Sequence, residues 1–91
     1  MSRAYTIEFD NNAKKEFKKL DTPIQKQILL WLHKNIQRTA NPRWTGKALT
    51  ADKQGLWRYR IGKYRVICHI KDDIALVLVV KSGKREIVYD F

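Results

Sequence analysis

The feature that most constrains the fold is a pair of strand patterns, Leu56–Ile61 and Tyr64–Ile70, separated only by Gly62-Lys63. Glycine in the first position of a two-residue connection favours a type II′ turn, which joins antiparallel strands tightly. The sequence therefore predicts a β-hairpin whose register is set by the turn. The predicted opposite pairs are Ile61 with Tyr64, Arg60 with Arg65, Tyr59 with Val66, and Arg58 with Ile67.

Alternation along the predicted hairpin divides its side chains between two faces of a sheet. The face expected to pack in the core carries Trp57, Tyr59, Ile61, Tyr64, Val66 and Cys68. The opposite face carries Arg58, Arg60, Arg65, Ile67 and His69. A single arginine on such a face is commonly just solvated, but two arginines directly across a ladder repel each other unless an anion lies between them. The second face therefore predicts an anion-binding site.

The segments before the hairpin predict a strand followed by two helices. Tyr5, Ile7 and Phe9 alternate with polar residues, as in a half-buried strand. The first helix follows the Asp10-Asn11-Asn12 caps and places Ala13, Phe17 and Leu20 on one face. For the second helix, Thr22 is the predicted cap, Pro23 the first helical residue and Gln25 the capping-box residue. That helix is expected to run to about Arg38, with an apolar stripe of Ile24, Ile28, Leu32 and Ile36.

The apolar run Ile74–Lys81 predicts a third strand after the helices, covered on both faces. The predicted architecture is an α+β fold of order β-α-α-β-β-β, a helical hairpin packed on a mostly antiparallel four-stranded sheet. A tight turn at Asp72-Asp73 would place Val80 beside Arg65. The 91 residues are expected to form a single domain, 1–91.

The charge balance indicates a polyanionic partner, because 19 Lys and Arg residues against 9 Asp and Glu give a net charge of +10. Nucleic acid, an anionic membrane and an acidic protein all fit such a charge. The membrane is disfavoured, since the longest apolar run, Ile74–Val80, is too short for a span. The absence of a signal-peptide pattern and the single cysteine, Cys68, predict a cytoplasmic protein.

No cofactor or metal is expected, because His33 and His69 are the only histidines and neither lies in a cluster with ligand spacing. Trp31 and Trp57 are expected in the core. Trp44 lies in a basic loop and is open to stacking on a base or a partner. The residues expected to bind RNA around the arginines are Arg43, Trp44, Lys47, Lys63 and Lys84.

The string from Gly55 to Ile67, GLWRYRIGKYRVI, followed by Gly83-Lys84-Arg85-Glu86 and Tyr89, resembles the RelE/ParE toxin superfamily of type II toxin–antitoxin systems. The resemblance extends over essentially the whole chain. Its RelE branch implies a ribosome-dependent endoribonuclease that cleaves mRNA without a metal. The catalytic residues implied by position are Arg58, Arg60, Arg65, Arg85 and Tyr89. The best-known members have lysines where Arg58 and Arg60 stand, and they continue into a further helix.

The resemblance also implies a small, acidic, RelB-like antitoxin that forms a hetero-oligomer with the toxin, as well as contacts with mRNA and the ribosome. In the implied reaction the RNA 2′-hydroxyl attacks the scissile phosphate, and the arginines stabilise the developing charge. Tyr89 is the candidate base, because arginine stays protonated. Two other functions fit the sequence, namely a ParE-like gyrase inhibitor on the same fold and a non-catalytic RNA-binding module.

Overall fold

The computed structural model describes residues 4–49 and 55–84. Its elements in chain order are β1 (Thr6–Phe9), α1 (Asn11–Lys18), α2 (Thr22–Asn35), β2 (Lys47–Ala48), β3 (Leu56–Ile61), β4 (Tyr64–Lys71), a 3₁₀ turn (Asp72–Ile74) and β5 (Leu76–Lys84). One sheet contains all these strands in the order β1-β5-β4-β3-β2. Strand β1 runs parallel to β5, and the other neighbours are antiparallel. The predicted α+β class is confirmed.

The sheet has five strands among the described residues, so the predicted count of four was wrong. The additional strand, β2, spans only Lys47–Ala48 and lies at the sheet edge beside β3. Two residues are too few to display the alternation that identifies a strand in a sequence. Pairing with β3, rather than any local preference, creates this strand.

The helices begin close to the predicted positions, and α1 uses one of its predicted caps whereas α2 does not. Asp10 caps α1 through a hydrogen bond from the Asn12 N–H to its carboxylate (3.1 Å). The N-cap of α2 is Asp21 rather than Thr22, with no side-chain cap bond. The Gln25 side chain does not complete a capping box. Its amide donates instead to the carbonyls of Lys18 and Leu20, so that it fixes the turn between the two helices.

Helix α2 ends at Asn35, three residues before the predicted Arg38, which has a positive φ of 67°. None of the described helices is long and apolar enough to cross a membrane.

The hydrophobic core lies between the helices and one face of the sheet. Its buried members are Ala13, Phe17, Ile28, Leu32, Ile36, Tyr59, Ile61, Val66, Cys68, Ile70, Val77 and Val79. Trp31 and Trp57 pack against this cluster, as predicted. The alternation of β1 is also confirmed, because Ile7 and Phe9 face the core while Thr6 and Glu8 are exposed.

The hairpin of β3 and β4 has the predicted register at every pair. Gly62 has a φ of 60°, and Lys63 is not among the non-glycine residues with positive φ, as a type II′ turn requires.

The predicted register between β4 and β5 was wrong. Gly83, not Val80, lies opposite Arg65. The connection takes four residues, because a 3₁₀ turn is followed by Ala75 in the left-handed region with a φ of 50°. An irregularity between Ile67 and Cys68 then shifts the ladder by one further residue. Strand β5 therefore starts at Leu76 and extends to Lys84, beyond the predicted end at Lys81.

Candidate anion site

The side of the sheet that faces away from the helices carries a cluster of cations. Arg60 lies opposite Arg65, and Arg58 lies opposite Ile67. On the other side of β3, Lys47 of β2 lies opposite Arg58. Because directly opposite residues share a face of the sheet, Lys47 joins the three arginines. We call Lys47, Arg58, Arg60 and Arg65 the cation cluster.

The cation cluster lines a cavity of about 230 Å³. Its lining residues are Thr45, Gly46, Lys47, Arg58, Arg60 and Arg65. No acidic side chain is among these described lining residues. The volume is smaller than the roughly 300–1,000 Å³ of sites that enclose drug-sized ligands. A cavity of this size and charge suits a phosphate group and part of its sugar rather than a complete nucleoside.

The cations of the cluster differ in exposure, and the difference follows from their strands. Arg65 belongs to the central strand β4 and is only 6% exposed. Arg60 is exposed and Arg58 is half-buried on β3, while Lys47 is exposed at the sheet edge. The buried guanidinium is therefore the most restricted in position. Fixed donors of this kind stabilise an anion without having to reorganise when it binds.

The loop that forms one wall of the cavity is fastened to β3. The Trp57 indole N–H donates to the Thr45 carbonyl (2.7 Å), and the Tyr59 hydroxyl donates to the carbonyl of buried Pro42. Gly46 follows Thr45 and has a φ of 86°. A Cβ at this position would collide with the Arg58 carbonyl and come within 2.6 Å of the Trp57 indole nitrogen. Burial raises the pKa of the Tyr59 phenol, so that it remains a donor.

Arg43, which was expected to bind RNA, is engaged elsewhere. Its guanidinium forms a bidentate pair with Asp72 (2.9 Å for each bond), and the Tyr5 hydroxyl donates to the same carboxylate (2.6 Å). These bonds hold the pKa of Asp72 down to about 2. Asp72 follows the last residue of β4, whereas Arg65 is its second residue. Arg43 therefore does not line the cavity.

The other residues expected to bind RNA lie at different distances from the cavity. Trp44 is 55% exposed, and its indole N–H donates to the Asn35 carbonyl at the end of α2 (3.1 Å). Lys63 lies in the hairpin turn. Lys84 lies opposite Tyr64, whose side chain packs against the core, so its position belongs to the helix side of the sheet. Of the predicted RNA-binding residues, only Lys47 lines the cavity.

Two of the predicted catalytic residues, Arg85 and Tyr89, lie outside the described residues. Arg85 follows Lys84 in sequence, two residues after Gly83, which lies opposite Arg65.

The contribution of Thr45 and Gly46 to the cavity was not anticipated from the sequence. The only signal for it is the glycine itself, which precedes a lysine in a segment without strand periodicity.

The described residues contain no group of three His, Cys, Asp or Glu side chains that could hold a metal ion. Cys68 is a free cysteine in the core, as predicted, and burial raises the pKa of its thiol.

A second surface feature lies on the opposite side of the molecule from the cation cluster. An open apolar groove of about 520 Å³ runs between α2 and the edge strand β1. Its lining residues are Ile7, Phe9, Lys26, Leu29, Leu30, Leu32, His33 and Gln37. Leu29 and Leu30 are 45% and 69% exposed. Exposed leucines beside an apolar groove are typical of a surface that another protein covers.

Comparison with known proteins places this geometry in a family. The chain is similar to the toxin–antitoxin complex RelBE2 from Mycobacterium tuberculosis, with 25% identity, a TM-score of 0.81, and coverage of 93% of this chain and 95% of the other. It is similar to a mutant of the E. coli toxin RelE in the free state, with 25% identity, a TM-score of 0.74, and coverage of 94% and 88%.

A RelB–RelE complex from Methanococcus jannaschii, at 19% identity and a TM-score of 0.65, covers 91% of this chain and 95% of its own and shares the fold. No curated protein matches the sequence significantly. The family model of the ParE toxin of type II toxin–antitoxin systems, parDE, matches residues 7–87. The chain therefore belongs to the ParE toxin family, within the RelE/ParE superfamily of type II toxin–antitoxin toxins that its arginine motif predicts.

Proposed function

We propose that this toxin is a metal-independent endoribonuclease that cleaves mRNA on the ribosome and thereby inhibits translation in the cytoplasm. The observation that carries the proposal is the pairing of Arg60 with Arg65 beside a cavity whose described lining residues include four cations and no carboxylate. A gyrase inhibitor needs a surface for protein contact. An RNA-cleaving site needs preorganised cations at one phosphate, which is what this cavity offers.

In the proposed reaction the RNA supplies the nucleophile. The 2′-hydroxyl attacks the adjacent phosphorus, and the bond to the 5′-oxygen of the next nucleotide breaks, which leaves a 2′,3′-cyclic phosphate and a 5′-hydroxyl. Arg65 and Arg85 bind the phosphate oxygens as their charge rises, and Arg58 and Arg60 complete the contacts. Arginine suits this role because its planar fork can donate two parallel hydrogen bonds to phosphate.

Proton transfer is assigned to Tyr89 and to a donor for the leaving oxygen. Positive charge beside a phenol lowers its pKa and favours the phenolate, which would accept the proton of the 2′-hydroxyl. Arg85 or solvent would protonate the leaving 5′-oxygen. The ribosome would align the RNA, because the described cavity holds cations but no acid–base pair of its own.

The test is to map mRNA ends on translating ribosomes and on the same mRNA free in solution, at equal salt. Wild-type protein should produce ends on ribosomes at a much higher rate than on free RNA, and Arg60→Gln should not. Equal rates on both substrates would show that cleavage does not require the ribosome. Ends that are absent in both cases would contradict cleavage.

Inhibition of gyrase is the second candidate, because the family model that matches the chain is that of ParE toxins. A supercoiling assay with purified gyrase separates the candidates. Inhibition of supercoiling without any cleavage of mRNA would favour this function.

We also propose that an acidic, RelB-like antitoxin binds and silences the toxin in a hetero-oligomer. The similar M. tuberculosis and M. jannaschii structures are toxin–antitoxin complexes. The net charge of +10 favours an acidic partner, and the groove between α2 and β1 offers an apolar surface with Lys26 in its lining. An amphipathic helix with acidic flanks is the segment that fits such a groove.

A further inference from the structure

The four residues 57–60 of β3 alternate between the two faces of the sheet. Arg58 and Arg60 lie on the face away from the helices and line the cavity. Trp57 and Tyr59 lie on the helix side, where Tyr59 is fully buried and Trp57 packs against the core. Both of these aromatic side chains nevertheless donate a hydrogen bond to the loop that forms one wall of the cavity.

The two hydrogen bonds hold the loop at both ends of the segment 42–45. The Tyr59 hydroxyl donates to the Pro42 carbonyl, and the Trp57 indole N–H donates to the Thr45 carbonyl (2.7 Å). Thr45 is itself a lining residue of the cavity, and Lys47 follows two residues later. The backbone that leads to Lys47 is therefore fastened to the strand that carries the arginines.

The backbone on either side of Lys47 also lies against Trp57. A Cβ on Gly46 would come within 2.6 Å of the indole nitrogen, so the loop runs directly along this side chain. Ala48 pairs with Trp57 in the ladder of β2 and β3, and Lys47 pairs with Arg58. Lys47 is thus placed between two residues that are held by the same tryptophan.

Packing alone does not explain where the two aromatic donors find their partners. A buried tyrosine or tryptophan generally needs a hydrogen-bond partner, which can come from any nearby element. Here both acceptors are carbonyls of the one short segment that leads into the cavity lining. The shared acceptor segment links the helix side of β3 to the cation cluster on its other face.

We propose that Trp57 and Tyr59 are positioning residues of the cation cluster, which fix the loop through their hydrogen bonds and thereby hold Lys47 where it binds the RNA backbone. The consequence for cleavage rests on the proposed nuclease function. A cation that is held in place binds phosphate without first losing the freedom of its loop. Loosening the loop therefore weakens RNA binding and cleavage, although neither aromatic side chain lines the cavity.

The experiment is a double-mutant cycle with substitutions that keep an aromatic ring and remove its donor. Trp57→Phe and Tyr59→Phe are each made in the wild-type and in the Lys47→Gln background. The rate of mRNA cleavage on ribosomes is one readout, and the affinity for a 2′-O-methyl RNA trinucleotide, measured by NMR titration, is the other. This ligand cannot be cleaved by 2′-hydroxyl attack. Trp31→Phe, which changes an indole that packs against the core from α2, is the matched control, and urea unfolding monitors the stability of every variant.

We expect Lys47→Gln to lower the cleavage rate and the RNA affinity by roughly tenfold, the loss of one hydrogen bond to a charged group. Trp57→Phe and Tyr59→Phe should each lower both readouts by at least about threefold in the wild-type background. In the Lys47→Gln background neither should have a further effect, because residues that act through one another are not additive. Any loss of stability should be the same in both backgrounds. Trp31→Phe should change neither the cleavage rate nor the RNA affinity.

The proposal is overturned if the effects of the aromatic variants multiply with that of Lys47→Gln, or if either kind of variant has no effect in the wild-type background. It is also overturned if the wild type neither binds the trinucleotide nor cleaves mRNA. If one aromatic variant does not fold, the other decides the test. Unfolding of both would show that these bonds support the whole fold rather than the loop.

Failure of the nuclease function is read separately. A protein whose RNA affinity shows the non-additive pattern, but which does not cleave mRNA on ribosomes, would keep the positioning role and lose the proposed reaction. Cleavage by the wild type with fully additive effects of the variants would keep the reaction and remove the positioning role.

Discussion

Arg60 and Arg65 lie directly opposite each other in the ladder between β3 and β4, and both line the same cavity. Arg65 is buried whereas Arg60 is exposed, so the pair combines a fixed charge with one that reaches solvent. Such a pair is a cost to the folded state when no anion is bound. Stability and function therefore make opposite demands at this position.

Replacing Arg60 should separate these two demands. We expect Arg60→Gln to raise the free energy of unfolding by about 0.2–1 kcal/mol, because a like-charge repulsion is removed. Cleavage of mRNA on ribosomes should fall by roughly 10²–10³-fold, as for the loss of one charge-stabilising donor. Urea unfolding and end mapping measure the two effects, with Lys34→Gln as the control for net charge. A variant that is both less stable and fully active would contradict this assignment.

The chemistry is expected to depend on arginine and not on a metal. Arg85→Ala should cost about 2–4 kcal/mol of transition-state stabilisation. EDTA, at a concentration that leaves the ribosomes intact, should leave the wild-type cleavage rate unchanged. Single-turnover cleavage with and without the chelator provides the measurement. Loss of activity on chelation, restored by added divalent ions, would show that a metal takes part.

The hairpin of β3 and β4 was predictable in full because a two-residue turn leaves a single register. Once Gly62-Lys63 is assigned to the turn, the positions of Arg58, Arg60 and Arg65 follow from alternation alone. The core side of the sheet follows for the same reason. Strong local signals and a period of two were sufficient for this part of the site.

The remaining part depends on tertiary contacts that leave little trace in the sequence. Ala75 adopts a left-handed conformation that its side chain does not favour, and the ladder is irregular at Ile67 and Cys68. Because of these two features, Gly83 rather than Val80 lies opposite Arg65. The position of Lys47 depends on edge pairing with β3, and that of Arg43 on a distant carboxylate. Neither contact has a periodic signature.

The close approach of Gly46 to β3 should make this glycine necessary for the site. Gly46→Ala would introduce a Cβ against the Arg58 carbonyl at a φ of 86°. We expect a loss of at least about 1–2 kcal/mol in unfolding free energy, since the left-handed conformation alone costs that much. Gly62→Ala is the matched control. Its φ is also positive, but the added Cβ would meet only the end of the Gln27 side chain (2.9 Å).

Both glycine variants should lose stability, but only Gly46→Ala should also displace Lys47 from the cavity and lower the rate of mRNA cleavage on ribosomes. Urea unfolding and mapping of mRNA ends for each variant provide the comparison. Equal cleavage rates for the two variants would show that the loop between Pro42 and Lys47 does not position the cavity.

The ion pair of Arg43 and Asp72 should contribute stability that depends on pH. Hydrogen bonds from Arg43 and Tyr5 lower the pKa of Asp72 to about 2, below the value of about 3.9 in an unfolded chain. The folded state therefore binds its proton less tightly. The stabilisation is complete above the unfolded pKa and is lost as the pH falls towards 2.

Asp72→Asn tests this dependence. Because the carboxylate side chain is 55% exposed, solvent screening limits the effect to about 1 kcal/mol or less at pH 7. The difference in urea unfolding free energy between the wild type and the variant should shrink between pH 5 and pH 3. Glu16→Gln, which removes one exposed carboxylate from α1, provides the comparison. A difference that grows as the pH falls would contradict the assignment.

The apolar groove between α2 and β1 should carry the part of antitoxin binding that does not depend on charge. Leu30 is 69% exposed and lines this groove, and it belongs to the helix side of the molecule, away from the cation cluster. Leu30→Glu should therefore weaken antitoxin binding while leaving the cleavage of mRNA intact. A charge-driven complex associates quickly, whereas buried apolar area slows its dissociation. Lys34→Gln, on the same helix but outside the groove lining, is the control.

Raising salt to about 1 M shortens the Debye length to roughly 3 Å and removes most of the surface attraction between toxin and antitoxin. The wild-type complex should persist on size exclusion under these conditions, and the Leu30→Glu complex should dissociate. If both complexes dissociate, charge alone holds the antitoxin and the groove is not its binding surface.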